Sequence, residues 1–340
     1  MEAVLDAMSS DPQTQGKYLK EFERVFSEYH GRPSFAVSSG AAALEIAAML
    51  IDIKPSEVII PAHTYAATAI PFARRGAVIK WADIDPLYRT VTADTIAPLV
   101  TKHTKAIVVV HLYGMDAPMD GILGFGIPVI EDCAQSLGGK SGRLGISCYS
   151  FHGQKNITTL GEGGMITVKD EADKIPGLRH NGHRQTGDTK IVDFDLPEVY
   201  PYNFSLGEAQ CAVGISQMKR LDEMNARRCK NARFIIDNLK DIEELEFQQI
   251  PEGSTHTYHL LCARYPDRDG LVKRMADQGV ECVTQYMPLY RQPLFKNYRE
   301  HDCPNTDDFY DHALSFPLSE WQTQEELDYL LQAIRKGTTL

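Results

Sequence analysis

The stretch Ala106-Ile-Val-Val-Val-His111 is a short apolar run rich in β-branched residues, which is typical of a strand buried on both faces of a sheet. Three similar runs are Glu57-Val-Ile-Ile-Pro61, Val78-Ile-Lys-Trp-Ala82 and Pro128-Val-Ile-Glu-Asp132. Between the runs lie segments with helical patterns: Ala41 to Leu50, Ala66 to Arg75 and Thr92 to Leu99. Because strands that alternate with helices form parallel crossover units, the pattern predicts an α/β sheet covered on both faces.

The pattern changes near residue 171. Residues 170–202 are polar and lack periodicity, which predicts a long loop or arm, and Phe204 to Leu239 is strongly helical. The remainder alternates again: a strand over Thr257–Ala263, a helix over Leu271–Gln278, a strand over Val280–Val283 and a helix over Gln324–Arg335 capped by Thr323. We therefore predict a large domain over residues 1–225 and a small C-terminal α+β domain over residues 226–340.

Composition narrows the class of protein. The chain has 340 residues and a net charge of −11, which argues against a general nucleic-acid binder. No stretch reaches the roughly 18 apolar residues of a membrane span, and residues 1–10 lack a secretory-signal pattern, so we expect a cytoplasmic protein. The seven cysteines form no Cys-x-x-Cys pair and the histidines belong to no ligand cluster, so we predict no metal site.

Lys155 is the first candidate for chemistry. It lies in Ser150-Phe-His-Gly-Gln-Lys155-Asn-Ile-Thr, beyond a strand-like run and before Gly161-Glu-Gly-Gly164. A lysine amine can form a Schiff base with an aldehyde cofactor, although most lysines lie solvated on the surface. Neighbouring motifs must therefore decide between these two interpretations.

Three other groups bear on the choice, and each has an ordinary alternative. Ser38-Ser-Gly-Ala41 opens a helix whose N–H groups suit a phosphate, yet a plain serine cap is commoner. Asp132 ends a strand where a ligand could sit, but it could cap the next helix, and Gln135 could be solvated. Tyr65 could stack on a flat ring, yet a core tyrosine is commoner.

Together these motifs resemble the DegT/DnrJ/EryC1/StrS family of pyridoxal-phosphate (PLP) sugar aminotransferases. The resemblance runs from about Phe22 to the C-terminus. The motifs are Ser38-Ser-Gly-Ala-Ala-Ala-Leu, Val58-Ile-Ile-Pro-Ala-His-Thr-Tyr, Asp83-Ile-Asp-Pro, Thr104-Lys-Ala-Ile, His111-Leu-Tyr-Gly, Glu131-Asp-Cys-Ala-Gln, the Lys155 segment with Gly161-Glu-Gly-Gly, Tyr202-Asn-Phe-Ser-Leu and Gln217-Met-Lys-Arg-Leu-Asp. The resemblance implies a fold-type I PLP transferase with a mostly parallel seven-stranded sheet between helices.

The resemblance also implies a role for each matching position. Lys155 would hold the cofactor aldehyde, and Asp132 would pair with its pyridine nitrogen. The other cofactor contacts would be Gln135 at the ring hydroxyl, Tyr65 over the ring, and Gly40, Ala41 and Ser150 at the phosphate. Asn203 would reach the phosphate from the partner subunit of a homodimer with shared active sites. Two positions depart from the family pattern: Ala41 replaces a common threonine, and Ser205 replaces a common arginine that can meet a donor carboxylate.

The predicted reaction transfers an amino group from an amino acid, glutamate by family analogy, to a keto-sugar. A nucleotide-linked keto-deoxysugar of surface-polysaccharide or secondary-metabolite biosynthesis is the expected substrate. An aminocyclitol- or aminobenzoate-forming enzyme shares the motifs and stays an alternative. A sugar dehydratase is disfavoured because histidine replaces the lysine in that branch. A regulator without activity is disfavoured because the expected cofactor contacts other than the threonine are present. Selectivity is expected to depend on the loops 180–193 and 286–299.

Overall fold

In a computed structural model of the chain, which describes residues 2–51, 53, 56–184, 193–194, 199–298 and 302–339, a seven-stranded sheet forms the centre. Its strands are β1 Ser34–Val37, β2 Glu57–Pro61, β3 Val78–Ala82, β4 Thr104–Val110, β5 Val129–Asp132, β6 Ile146–Ser150 and β7 Gly164–Thr167. Their order is β1-β7-β6-β5-β4-β2-β3, and only β7 runs against its neighbours. The mostly parallel α/β fold is therefore confirmed.

Helices cover both faces of this sheet. They are α1 Glu2–Met8, α2 Lys17–His30, α3 Gly40–Met49, α4 Ile70–Arg74, α5 Ala93–Ile96, α6 Asp120–Leu123, α7 Ile175–Arg179, α8 Glu208–Met218 and α9 Leu221–Asp237. Neighbouring strand residues point to opposite faces, so Val108 packs with α3 and Trp81 whereas Val109 packs with Ile122. Burying each valine or isoleucine contributes about 1.5–3 kcal/mol, which explains why β4 is apolar almost throughout.

A smaller sheet follows in the C-terminal part. Its strands are β10 Glu246–Phe247, β11 Leu261–Arg264 and β12 Ala313–Phe316, with the helices α10 Arg268–Ala276, α11 Pro304–His312 and α12 Gln324–Thr338. Thr323 caps α12 as predicted, because its hydroxyl accepts from Glu326 N–H. Val280–Val283 forms no strand: only Val283 pairs, through a single bridge to Ser315.

The helical segment from Phe204 is two helices rather than one. Helix α8 ends at Met218 and α9 begins at Leu221. The apolar spacing of Ile215, Met218, Leu221 and Met224 continues across this break, so hydrophobic periodicity cannot detect it.

The predicted arm of residues 170–202 contains α7 and the short strands β8 His183–Arg184 and β9 Asp193–Phe194, which pair antiparallel. Residues 185–192 and 195–198 of the arm lie outside the described residues. Two-residue strands are too short to show a period in the sequence. None of the helices in the described part of the chain has the length and apolar character that crossing a bilayer would take.

Helix α9 connects the two sheets. Leu221 at its start packs in a core with Phe22 and Tyr149, whereas Ala232 and Ile235 pack in the C-terminal core with Leu271 and Leu330. The helix thus runs through residues 225 and 226 without a break. We keep the division into domains 1–225 and 226–340 as a proposal, with α9 shared between them.

Candidate active site

A cleft of about 650 Å³ opens at the carboxyl ends of the parallel strands. Seven of the eight predicted cofactor positions line it: Gly40, Ala41, Tyr65, Asp132, Gln135, Ser150 and Lys155. They follow or end β1, β2, β5 and β6. Ligands of open α/β sheets bind at this edge, because the loops after the strands converge there.

One end of the cleft is built for an anion. Ser39 caps α3, since its hydroxyl accepts from Ala42 N–H at 3.0 Å, and the free N–H groups of the first turn carry a partial positive charge. Gly40 lies directly against Ser150: a Cβ on Gly40 would stand 2.8 Å from Ser150 Cβ. This close approach requires glycine. The two interpretations of this segment are therefore compatible: Ser39 caps α3, and the N-terminus of the same helix lines the cleft.

Asp132 also lines the cleft and is 5% exposed. Thr68 Oγ1 donates to its Oδ2 at 2.8 Å and Ala134 N–H donates to its Oδ1 at 3.1 Å. Burial raises the pKa of Asp132 above its ordinary value, while these hydrogen bonds and the nearby Lys155 act in the opposite direction. A carboxylate held in this way favours a cationic ligand, which would lower its pKa.

Lys155 follows β6 on a turn in which its own N–H donates to His152 O at 2.9 Å. Burial lowers the pKa of the Lys155 amine, and Asp132 opposes this change. A larger fraction of the amine is therefore neutral at a given pH than for a solvated lysine. The neutral amine is the form that attacks an aldehyde or accepts a proton.

The side-chain amide of Gln135 is held from both sides. Its Oε1 accepts from Tyr113 N–H at 2.7 Å, and its Nε2 donates to Tyr286 Oη at 2.9 Å. Burial raises the pKa of Tyr286 to about 12, so its hydroxyl stays protonated at neutral pH. Gln135 is therefore buried and oriented rather than solvated.

Tyr65 is 61% exposed, and its ring meets the Tyr286 ring edge-on at 5.9 Å. It lies on the wall of the cleft and not in the core. The commoner alternative, a core tyrosine, does not describe this residue.

Asn203 is the one predicted position away from the cleft. It is exposed, forms a bridge with His180, and accepts from Ser205 N–H at 3.2 Å through its Oδ1. The Ser205 hydroxyl lies 2.9 Å from His180 Nδ1. The chain alone thus does not bring Asn203 to the other seven residues.

The residue before Asp132 belongs to a separate buried network. Glu131 accepts from His111 Nε2 at 3.2 Å and from the N–H groups of Gly142, Leu144 and Gly145 at 2.8–2.9 Å. Burial alone would raise the pKa of Glu131, but these donors outweigh it and lower the pKa to about 2. The ligand atoms of Glu131, His111 and Cys133 lie within 4.8 Å of one another, yet both Glu131 oxygens already accept hydrogen bonds, so the group is structural.

Sequence reasoning missed Thr68 and the direct contact of Tyr286 with Gln135. The sequence places Tyr286 only within a loop that is expected to determine selectivity, and nothing in its local sequence indicates that it contacts Gln135. Thr68 lies four residues after Thr64, on the 3₁₀ turn Ala66–Thr68. Its link to Asp132 depends on the spatial order of β2, β4 and β5, which the local pattern does not specify.

Known proteins are similar to this chain over nearly its whole length. The model of the DegT/DnrJ/EryC1/StrS aminotransferase family matches residues 1–335. The chain belongs to this family. It is therefore an aminotransferase, and its family is PLP-dependent. A UDP-N-acetyl-3-dehydro-alpha-D-glucosamine 3-aminotransferase of Acidithiobacillus ferrooxidans is 30% identical over 98% of this chain and 91% of its own.

Two further proteins are similar to the chain over most of its length. The GDP-perosamine synthase of Caulobacter vibrioides is 30% identical over 94% of this chain and 90% of its own. The X-ray structure of the aminotransferase from Psychrobacter cryohalolentis has a TM-score of 0.90 and 28% identity, covering 98% of this chain and 95% of that one. The predicted family and fold are confirmed.

Proposed function

We propose that this family member binds PLP at Lys155 and transfers an amino group from glutamate to a nucleotide-linked keto-sugar. The observation that carries the proposal is the shared cleft of Lys155, Asp132 and Gln135 with the capped N-terminus of α3. When bound, PLP supplies an aldehyde for the amine and an electron sink for the carbanion formed at the substrate's α-carbon.

The residues present fit this cofactor. The buried Asp132 carboxylate suits a pyridinium N–H, and the first turn of α3 beside Ser150 suits a phosphate. The second Nε2 hydrogen of Gln135 and the hydroxyl hydrogen of Tyr286 can serve the ring oxygen or a substrate oxygen. Gln135 and Tyr286 can donate these hydrogens without breaking the hydrogen bond between them.

Asp132 and Lys155 have distinct tasks in this proposal. The charged Asp132 carboxylate would hold the pyridine nitrogen in its protonated form, because a buried carboxylate is stabilised by a cationic partner. The neutral Lys155 amine would accept a proton from the α-carbon of the donor and would deliver it to the carbon of the cofactor's aldehyde group. Its lowered pKa favours this task at neutral pH.

The names of the relatives support a nucleotide-linked sugar as the acceptor, since one is named for a UDP-linked sugar and another for a GDP-linked sugar. Lys155 is also the only lysine or arginine among the described residues that line the cleft. The phosphates of a nucleotide and the carboxylates of glutamate therefore need further cations. We propose that a second subunit supplies them, and that the enzyme works in the cytoplasm.

A panel of keto-substrates tests the proposal. We expect amine transfer from ¹⁵N-glutamate to a UDP-, GDP- or dTDP-linked keto-sugar, detected by mass spectrometry as a labelled amino-sugar. The matched control omits the keto-sugar and should leave only exchange between glutamate and 2-oxoglutarate. Transfer to cyclic polyol ketones but to no nucleotide sugar would favour the aminocyclitol alternative.

A homodimer with shared active sites accounts for Asn203. The residue is exposed and follows Tyr200 and Tyr202, two aromatic residues that are 88% and 40% exposed. Large exposed aromatic side chains next to a predicted cofactor contact favour a surface covered by a second copy. We propose that Asn203 reaches the partner's cleft.

Subunit mixing tests this geometry. Asn203→Ala should weaken PLP binding about 10-fold, because it removes one hydrogen bond to a charged group. Mixing inactive Lys155→Ala subunits with Asn203→Ala subunits should restore up to about a quarter of wild-type activity, since half of the dimers carry one intact shared site. Activity that stays at the level of the unmixed Asn203→Ala protein would show that Asn203 serves its own subunit.

A further inference from the structure

Asn225 on α9 joins the two segments that carry the cleft residues. It is 8% exposed, and its Oδ1 accepts from Asn156 Nδ2 at 2.9 Å. Its own Nδ2 donates to Leu137 O, also at 2.9 Å. Asn156 directly follows Lys155, and Leu137 lies two residues after Gln135. One side-chain amide therefore touches both the Lys155 turn and the segment after β5.

The contact is tight on the side of Leu137. Gly138 has a φ of +92°, and a Cβ at this position would lie 2.2 Å from Asn225 Nδ2. Only glycine allows the backbone and the amide to approach so closely. On the other side, Asn156 is 3% exposed and its Oδ1 has no hydrogen-bond partner among the described residues, so the bond to Asn225 is what orients this amide.

We propose that Asn225 is a positioning residue that sets the distance between Lys155 and the segment bearing Asp132 and Gln135. The proposal rests on the proposed role of Lys155. A carboxamide suits the task, because it donates to a carbonyl and accepts from an amide at the same time. Aspartate keeps the acceptor but loses the donor, and alanine loses both.

The position of Asn225 on α9 also connects it to the C-terminal core. The same helix places Ala232 and Ile235 in the C-terminal core. A shift of that core along α9 therefore moves Asn225 and, through it, the Lys155 turn. Positioning of Lys155 is in this way connected to the packing of the C-terminal part of the chain.

Asn231 offers a matched control on the same helix. It is also 8% exposed, and its Nδ2 also donates to a backbone carbonyl at 2.9 Å, that of Ser319. It has no described contact with the Lys155 turn. Asn225→Ala should lower the midpoint of thermal unfolding somewhat more than Asn231→Ala, since it removes two buried hydrogen bonds rather than one.

The test measures Lys155 without requiring turnover. In the cofactor-free protein, the rate of reductive methylation of Lys155 against pH is followed by peptide mass spectrometry, and the PLP dissociation constant is measured by absorbance. Asn225→Ala should shift the pH profile of Lys155 and weaken PLP binding about 10-fold, whereas Asn231→Ala leaves both as in wild type. Asn225→Asp should be intermediate.

A double variant separates positioning from general damage. Asn156→Ala removes the same link from the other end, so Asn156→Ala/Asn225→Ala should be no worse than the poorer single variant. Additive losses, equal effects of Asn225→Ala and Asn231→Ala, or an Asn225→Ala protein that fails to fold while Asn231→Ala folds would each overturn the proposal. Wild-type protein that binds PLP at another residue would instead refute the proposed function of Lys155.

Discussion

Lys155→Ala is expected to abolish transamination while the fold survives. Lys155 ends a turn after β6 and its side chain enters the cleft, whereas its neighbours Asn156 and Ile157 are the residues buried in the protein. Removing the amine would therefore remove the proposed covalent attachment point and the proposed base for the α-proton, with little loss of packing. We expect kcat to fall by about 10³-fold or more, because a positioned general base alone contributes up to about 10⁴.

Two variants sharpen this prediction. Lys155→Arg keeps a positive charge but stays protonated, so it should be as inactive as the alanine variant. Lys240→Ala removes an exposed lysine that forms an ion pair with Asp237 at the surface, and it should keep wild-type activity. Circular dichroism checks the fold. Turnover by Lys155→Ala above one-tenth of wild type would refute the mechanism.

Asp132→Asn should have the second largest effect. Asparagine keeps the shape and can still accept from Thr68 Oγ1 or Ala134 N–H, but it brings no charge to the pyridine nitrogen. The proton on the ring nitrogen is then no longer stabilised. We expect kcat to fall by about 10²–10³-fold, the usual cost of removing one electrostatic partner of a reacting centre.

Thr68→Val is the control for Asp132→Asn, and its expected effect is smaller. It removes one hydrogen bond to the carboxylate and keeps the charge, so its loss of activity should be about 10-fold at most. Stopped-flow absorbance can separate the half-reactions, and the Asp132→Asn defect should lie in the proton-transfer step rather than in glutamate binding. Equal losses for the two variants would mean that Asp132 acts through shape and not through charge.

Much of the fold follows from residues 57–132 alone. The four apolar runs there form β2 to β5, because each is short and rich in apolar residues; all are largely buried except the edge strand β3, where Val78 is exposed. The break between α8 and α9 and the strands β8 and β9 were not predictable in this way. The break between the two helices leaves the apolar spacing unchanged, and the strands β8 and β9 are only two residues long.

Some residues of the candidate site could likewise be predicted from the sequence, and others could not. Gly40, Asp132, Ser150 and Lys155 follow or end strands, so local pattern and family motifs place them at one edge of the sheet. Thr68, Tyr286 and Asn225 contact these segments from elements distant in sequence. Their roles depend on which side chains the tertiary fold brings together, and no periodicity encodes that.

The central claim is that Lys155 carries the cofactor. The most direct measurement is reduction of the PLP-loaded protein with borohydride, followed by proteolysis and mass spectrometry of the labelled peptide. We predict one pyridoxyl group per chain, on Lys155. A label on another lysine, or no label in a protein that still transfers amines, would contradict this account.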